Sequence, residues 1–499
     1  ELEAAEAVCG GSADVLETLE GLAGHSLVQR RAGPIARIGM LETLRAFGLD
    51  RLVAFADQAA SDEFETAVLL GMGGSSLAPE VFMRTFGSAD GALELIVLDT
   101  THPATIERVV GQLELGTTLF IVASKSGGTT ETLSHLAFFW DKVPNGTQFV
   151  AITDPGTSLE TLARERGFRA VFVNPDDIGG RYSALSYFGL VPAALIGAPL
   201  HEVLDRAEEM QTASERTIPA AQSPGATLGA MMGESARAGR DKLTIALPEE
   251  IASFGSWVEQ LIAESTGKEG VGIVPVVGEP LGTPDVYGQD RVFVAIGEHG
   301  GLDELENVGH PVVRLPYDGR EQIGGEFFRW EMATAIAGYV LGINPFDQPN
   351  VQEAKDATKA ILASGSIEDP GFDDLRVLLK QVAEGDYVAI LAYLDRTSET
   401  EDAIERVRVA IRDHYRVATT TGFGPRFLHS TGQLHKGGAN NGVFIQVVDA
   451  ERSFDLPIPG QPYSFGTLID AQALGDLRSV RGGGRRVARV TLEQLMEVL

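Results

Sequence analysis

A single cysteine, Cys9, serves 499 residues, so the chain holds no internal disulfide and lacks the partners for a cysteine zinc cluster or an activated thiol. A reducing compartment follows, and a cytoplasmic location is expected. Basic residues are also scarce, with 40 Lys plus Arg against 70 Asp plus Glu and a formal net charge of −30. Such a surface repels nucleic acid and anionic membranes, so neither is an expected partner, and an anionic substrate must meet a locally positive site. Long apolar runs are missing too. The best candidate, Tyr187 to Leu200, falls short of the roughly 18 residues of a membrane helix and contains Pro192 and Pro199. The opening Glu-Leu-Glu has neither Met nor the basic region of a secretory leader, and a fragment or processed chain is expected. The 58 glycines follow no Gly-X-Y period, and there is no low-complexity tract.

What is present is a globular composition, 44% hydrophobic and 22% charged, at a length that suits two or three domains. Short β-branched runs alternate with helical stretches, the pattern of parallel sheets covered by helices. Strands are expected at Thr66–Leu70, Leu95–Leu98, Thr118–Ala123, Phe149–Thr153 and Ala170–Val173, forming one five-stranded doubly wound unit that ends near residue 178. Helices are expected at Leu77–Phe86 and from the 124–130 loop through Trp140. A second set, Lys242–Leu247, Gly272–Val277, Arg291–Ile296 and Val312–Leu315, comes with helices near 251–265 and 322–341. Pro349 is placed to open a helix running to about Leu362, and Ser364 to Phe372 reads as a linker. Beyond it, Tyr387–Leu394, a helix over 398–417, the strand Val443–Val448 and the stretch 466–499 suggest a small third α/β unit.

Residues 1–52 stand apart. Amphipathic helices at Val15–Leu22 and Met40–Leu52 flank a hairpin-like His25–Ile38, which resembles the end of a winged-helix segment in bacterial regulators. The segment is short and its helices acidic, which favours a packing or linker role over DNA binding.

Two loops and three isolated groups carry the chemistry. Gly71-Met72-Gly73-Gly74-Ser75-Ser76 follows a strand and opens a helix, as a dinucleotide loop does, but Ser76 replaces the third glycine, and a plain tight turn is the alternative. Ser124-Lys125-Ser126-Gly127-Gly128-Thr129-Thr130 sets hydroxyls and backbone N–H groups at a helix N-terminus, which suits a phosphomonoester; a Ser/Thr-rich cap is the plainer alternative. It has no P-loop spacing, so a nucleoside triphosphate is not expected. Arg181 follows two glycines, Gln260 and Glu264 share one helical face, and Lys355 sits about two turns into the helix after Gln348.

Together these segments resemble phosphoglucose isomerase. The resemblance rests on the two loops, Gly179-Gly180-Arg181-Tyr182-Ser183, the run Gln260 to Lys268 and the run Phe346 to Lys355, over roughly residues 64–360. The tail Phe427 to Gly438 resembles more narrowly the isomerase half of bacterial transaldolase–phosphoglucose isomerase fusions, so a transaldolase domain is expected upstream of this chain. The resemblance implies two sugar-isomerase (SIS) domains, over 53–220 and 221–363, with the 1–52 segment before them and a C-terminal α/β extension over 373–499. It implies that Ser124, Lys125, Ser126 and Thr129 hold the sugar 6-phosphate and that Gly74 and Ser75 line the sugar. It gives Arg181 to the reacting oxygens and Glu264 to the proton transfer, with Gln260, Gln348 and Lys355 completing the pocket. The implied reaction interconverts glucose 6-phosphate and fructose 6-phosphate, with no metal or other cofactor, and the partner is a small sugar phosphate, with a homodimer left open.

One departure stands out. Family members often carry a histidine soon after Gly-Glu-Pro for ring opening, yet Gly278-Glu279-Pro280 leads here to Tyr287-Gly288-Gln289-Asp290. A carboxylic acid of ordinary strength has no proton to give at neutral pH, whereas an imidazole both gives and takes one. His429, or else His435, is expected to supply that role from the tail. Two alternatives stay open, a dual phosphoglucose/phosphomannose isomerase and a non-catalytic SIS-type sugar-phosphate sensor. A sensor would need the phosphate loop but no base.

Overall fold

The computed structural model describes residues 48–365 and 370–498. The expected helix Val15–Leu22, the His25–Ile38 hairpin and most of the Met40–Leu52 helix lie outside the described residues, as does part of the expected linker.

Strands β1 (Thr66–Leu70), β2 (Glu94–Leu98), β3 (Thr118–Ala123), β4 (Phe149–Thr153) and β5 (Ala170–Val173) form a parallel sheet in the order β2-β1-β3-β4-β5. The central strands β3 and β4 are buried along their whole length, which is why they read as unbroken apolar runs rather than as alternating ones. The chain steps to one side of β1 for β2 and returns to its other side for β3. That reversal leaves a crevice at the carboxyl ends of β1 and β3. Residues 71–76 leave β1 there, and residues 124–130 leave β3.

The same winding recurs twice. Strands β6 (Lys242–Ala246), β7 (Val274–Val277), β8 (Arg291–Ile296) and β9 (Val312–Leu315) lie in the order β7-β6-β8-β9. Strands β10 (Tyr387–Tyr393), β11 (Ala418–Phe423), β12 (Gly442–Val448) and β13 (Arg486–Val490) lie in the order β11-β10-β12-β13, again all parallel. The C-terminal extension is therefore a third doubly wound sheet. Two of its strands escape the sequence pattern. The run Ala-Thr-Thr-Thr-Gly-Phe of β11 has almost no apolar signal, and β13, an edge strand, is Arg-Val-Ala-Arg-Val, with arginine at two of its five positions. The expected helix at Pro349 starts two residues later, at Val351. The turn before it is pinned from outside: Asn350 N–H donates to Gln433 Oε1 at 2.9 Å.

The second and third sheets meet edge to edge. The buried Arg408 guanidinium sends Nη2 to the Val277 carbonyl at the end of β7 (2.7 Å) and to the Thr419 carbonyl in β11 (3.0 Å). Beside it, the fully buried Arg291 and Glu279 pair at 3.0 Å, and Thr419 Oγ1 donates to Glu279 Oε2 at 2.8 Å. Asp290 lies in this region as well, 3.0 Å from the buried Lys242 ammonium. The stretch where family members often carry a histidine is thus committed to packing. Arg408→Met should leave two buried carbonyls unpaired at this seam. A loss of about 1–3 kcal/mol per unsatisfied group is expected, read as a lower urea midpoint; an unchanged midpoint would show that the seam does not depend on this side chain.

Candidate active site

The Gly71–Ser76 turn is a tight structural loop rather than an open cradle. Gly73 takes φ +55°, and a Cβ there would lie 2.5 Å from the His429 carbonyl oxygen; a Cβ on Gly74 would lie 2.3 Å from the Gly180 oxygen. Only glycine allows both approaches. Ser76, in the place of a third glycine, is fully buried and donates to Gly73 O and Asp99 Oδ2, each at 3.1 Å. Ser75 is buried within the same turn.

Residues 124–130 run from core to surface, with Ser124 buried at the end of β3 and the later donors nearer solvent. Ser126 and Gly128 are exposed and Thr129 half-buried, directly before the helix Thr130–Lys142. Ser124 and Thr129 hydroxyls share a 2.9 Å hydrogen bond, and Ser126 Oγ accepts from Gly128 N–H at 3.3 Å. The Lys125 ammonium points away, paired with Asp154 and donating to the Asp176 carbonyl at 3.1 Å. The loop therefore offers neutral donors and a helix N-terminus.

The helix Phe254–Thr266 brings Gln260 and Glu264 to one face, as their spacing requires. Gln260 Nε2 donates to Glu264 Oε2 at 2.9 Å and to the His429 carbonyl at 2.7 Å. Arg181 Nη1 stands 3.3 Å from Glu264 Oε1 and donates to Gln348 Oε1 at 2.9 Å. The rest of that buried guanidinium is spent on the scaffold: Nε on Ser265 Oγ (2.7 Å), Nη2 on the carbonyls of Pro345 (2.7 Å) and Asp347 (3.0 Å). Lys268, buried and held by the Asn344 carbonyl (2.7 Å) and by Asp347, grips the same turn. Burial pushes the Lys268 ammonium below its ordinary pKa. The motif containing Lys268 is plain in the sequence, but its task is not.

Between these parts stands a pair the sequence reading missed. His429 Nε2 lies 2.9 Å from Glu131 Oε1, across 298 residues of chain. Burial raises the Glu131 carboxyl, but the His429 imidazole, a backbone N–H and the Lys355 ammonium outweigh it and hold it at about 2. Lys355 itself is exposed, on the helix Val351–Ser364. Glu131 follows the phosphate-type loop directly, in the first turn of a helix, where an acid is favourable whatever else it does; that is why it carries no signal of its own. His435, the other tail candidate, is buried against Phe427 and Phe444, and burial drives its imidazole down to about 3.

The structure thus brings Glu264, Gln260, Arg181, Gln348 and His429 around one place, against Gly73 and Gly74, with the 124–130 loop at the head of the helix that carries Glu131 and with Lys355 exposed within electrostatic reach of that glutamate. A carboxylate, an imidazole and fixed cations beside an anion-type loop are the parts of proton-transfer chemistry on a phosphorylated substrate.

Residues 50–281 match the family model for phosphoglucose isomerase. A glucose-6-phosphate isomerase from Acaryochloris marina is 34% identical over 379 residues, covering 65% of this chain and 71% of that protein. A probable glucose-6-phosphate isomerase from Natronomonas pharaonis is 28% identical over 424 residues, covering 73% of this chain and 95% of that one. Among solved structures, a hypothetical protein from Thermus thermophilus superposes with a TM-score of 0.61 at 24% identity, over 72% of this chain and 97% of that chain. A glucose-6-phosphate isomerase from Chlamydia trachomatis gives 0.56 at 21% identity, over 73% and 80%, and both share the fold. With the family's motifs gathered at one crevice and a relative of this identity and coverage, the chain belongs to the phosphoglucose isomerase family.

Proposed function

We propose that this site interconverts glucose 6-phosphate and fructose 6-phosphate with Glu264 moving the proton between C1 and C2 and His429 opening the sugar ring. The chain is an aldose–ketose isomerase of its family; the assignment of these roles is our reading, and the observation that carries it is the convergence of Glu264, Arg181 and His429 on one place. The phosphate sits on the neutral donors of Ser124, Ser126 and Thr129 and on the backbone of Lys125, with Gly74 and Ser75 along the sugar. His429, oriented through Nε2 by Glu131, presents its other ring nitrogen to the ring oxygen, and protonation there lets the C1–O bond break as the hydroxyl proton leaves. In the open aldose, Glu264 takes the C2 proton. The electron pair forms the C1–C2 double bond, and the carbonyl oxygen gains the negative charge that Arg181 and Lys355 stabilise. Return of the proton to C1, as the O2 proton passes to the O1 oxyanion, gives the ketose. Every step conserves protons and electrons.

The sensor alternative and the dual phosphoglucose/phosphomannose reading are not favoured: the relatives cited above are named as glucose-6-phosphate isomerases. No described helix is long and apolar enough to cross a membrane, and we place the enzyme in the cytoplasm from its acidic, cysteine-poor composition.

Glu264→Gln keeps the hydrogen bond from Gln260 but removes the basic oxygen. Turnover should fall by about 10²–10⁴-fold with sugar-phosphate binding little changed, and near-normal turnover in a coupled assay would exclude this base. Thr129→Ala should raise KM for fructose 6-phosphate and weaken inhibition by 6-phosphogluconate by about 1–3 kcal/mol, the size of a hydrogen bond to a charged group. Unchanged inhibition in a folded variant would move the phosphate elsewhere. His429→Ala should slow turnover of the cyclic sugar phosphate strongly while sparing proton exchange at C2 of an open-chain substrate; equal losses on both would mark a structural histidine.

A further inference from the structure

One buried amide beside the site has no part in the mechanism above. Gln472 lies on the helix Phe465–Gly482 of the third sheet and is 3% exposed. Its Nε2 donates to Glu131 Oε1 at 2.7 Å, the same oxygen that meets His429 Nε2 at 2.9 Å. Its Oε1 accepts from the hydroxyl of the fully buried Thr101 at 2.8 Å. An ionised carboxylate only accepts hydrogen bonds, so the amide has one workable orientation, N toward Glu131 and O toward Thr101. Burying an amide is costly unless both ends are bonded, and here both are. An apolar side chain of the same size would cover Glu131 without that demand. It would also remove one of the bonds that hold the carboxylate's last torsion, which is broad and two-fold on its own.

We infer that Gln472 is a positioning residue for ring opening: with Thr101 behind it, it locks the Glu131 carboxylate so that one oxygen always faces His429, and the imidazole is held with its other nitrogen at the sugar ring. The inference rests on the reading of His429 as the ring-opening group. Gln472 gains and loses no proton. Its two hydrogen bonds go to Thr101 and Glu131, and none goes to Gln260, Glu264 or the 124–130 loop.

Ring opening and reclosure interconvert the α and β anomers of glucose 6-phosphate without isomerisation, so it can be measured alone in a Glu264→Gln background by exchange NMR. Gln472→Met in that background should slow anomer exchange by about tenfold or more, a fraction of the roughly 10²–10⁴-fold available to a well-placed proton donor. Inhibition by 6-phosphogluconate, whose carbon chain is already open, should stay within about twofold of the parent, because the phosphate loop and base are untouched. Adding Gln472→Met to His429→Ala should cost nothing further, since the amide acts only through the imidazole. Thr101→Val, which removes the hydroxyl behind the amide, should give a smaller loss in the same direction and serves if Gln472→Met does not fold. Slow exchange in His429→Ala with parental exchange in Gln472→Met and Thr101→Val would overturn this inference alone, as would losses that add in the double variant. Parental exchange in His429→Ala would overturn the ring-opening reading and this inference with it.

Discussion

A guanidinium between two carboxylates fixes where the third sheet meets the first, and the site depends on that docking. Arg426, just after β11, donates to Glu80 Oε2 at 2.5 Å and to Asp99 Oδ2 at 3.2 Å, both on the first sheet's carboxyl edge. Burial pushes the Glu80 carboxyl up, yet Arg426, Arg396 and Arg84 overcome it and hold the group near 2. A buried ion pair adds little net stability over an apolar contact, but losing one partner strands the other charge, so such a pair selects one register over its neighbours. Three residues beyond Arg426 comes His429, with its carbonyl against Gly73 and on the Gln260 amide. Asp99 also holds the Ser76 hydroxyl. One carboxylate therefore ties the glycine turn to the segment that carries the histidine, and Gln260 ties that segment to Glu264.

The electrostatics follow from the same economy of cations. A chain at −30 has few positive groups to spend on a dianionic substrate. Lys125 is neutralised by Asp154, and Lys268 is buried under the 344–347 turn. What stands beside Glu264 is one edge of Arg181, whose other donors are anchored in the scaffold, while Lys355 is exposed. The fixed guanidinium is thereby concentrated beside the Glu264 carboxylate, while the 124–130 loop offers hydroxyls and backbone N–H groups, which need no countercharge. Further contacts brace the joint between the first and third sheets. His102 Nε2 lies 2.9 Å from Asp449 Oδ2, and Arg108 grips Asp395 through both terminal nitrogens at 2.7 and 2.9 Å.

The sequence disclosed what local patterning controls. Thr118–Ala123 and Phe149–Thr153 are recognisable because strands covered on both faces must be apolar throughout, and Gln260 and Glu264 are recognisable as a pair because helical geometry fixes their shared face. The strands at Ala418–Phe423 and Arg486–Val490 were opaque, since a Thr-rich run and a short edge broken by two arginines have little apolar signature to read. Pro349 favoured a helix start, but Gln433, 83 residues away, holds Asn350 and delays it. Glu131 and Gln472 were silent for the same reason. Their roles lie in partners hundreds of residues distant, and nothing in the composition of either neighbourhood points across that gap.

The pairing of Glu131 with His429 joins the first sheet to the third within one polypeptide. Its formation is an intramolecular event whose effective concentration is set by the fold rather than by how much protein is in solution. A site shared between subunits comes apart on dilution, following mass action. Here dilution leaves the imidazole and its carboxylate together.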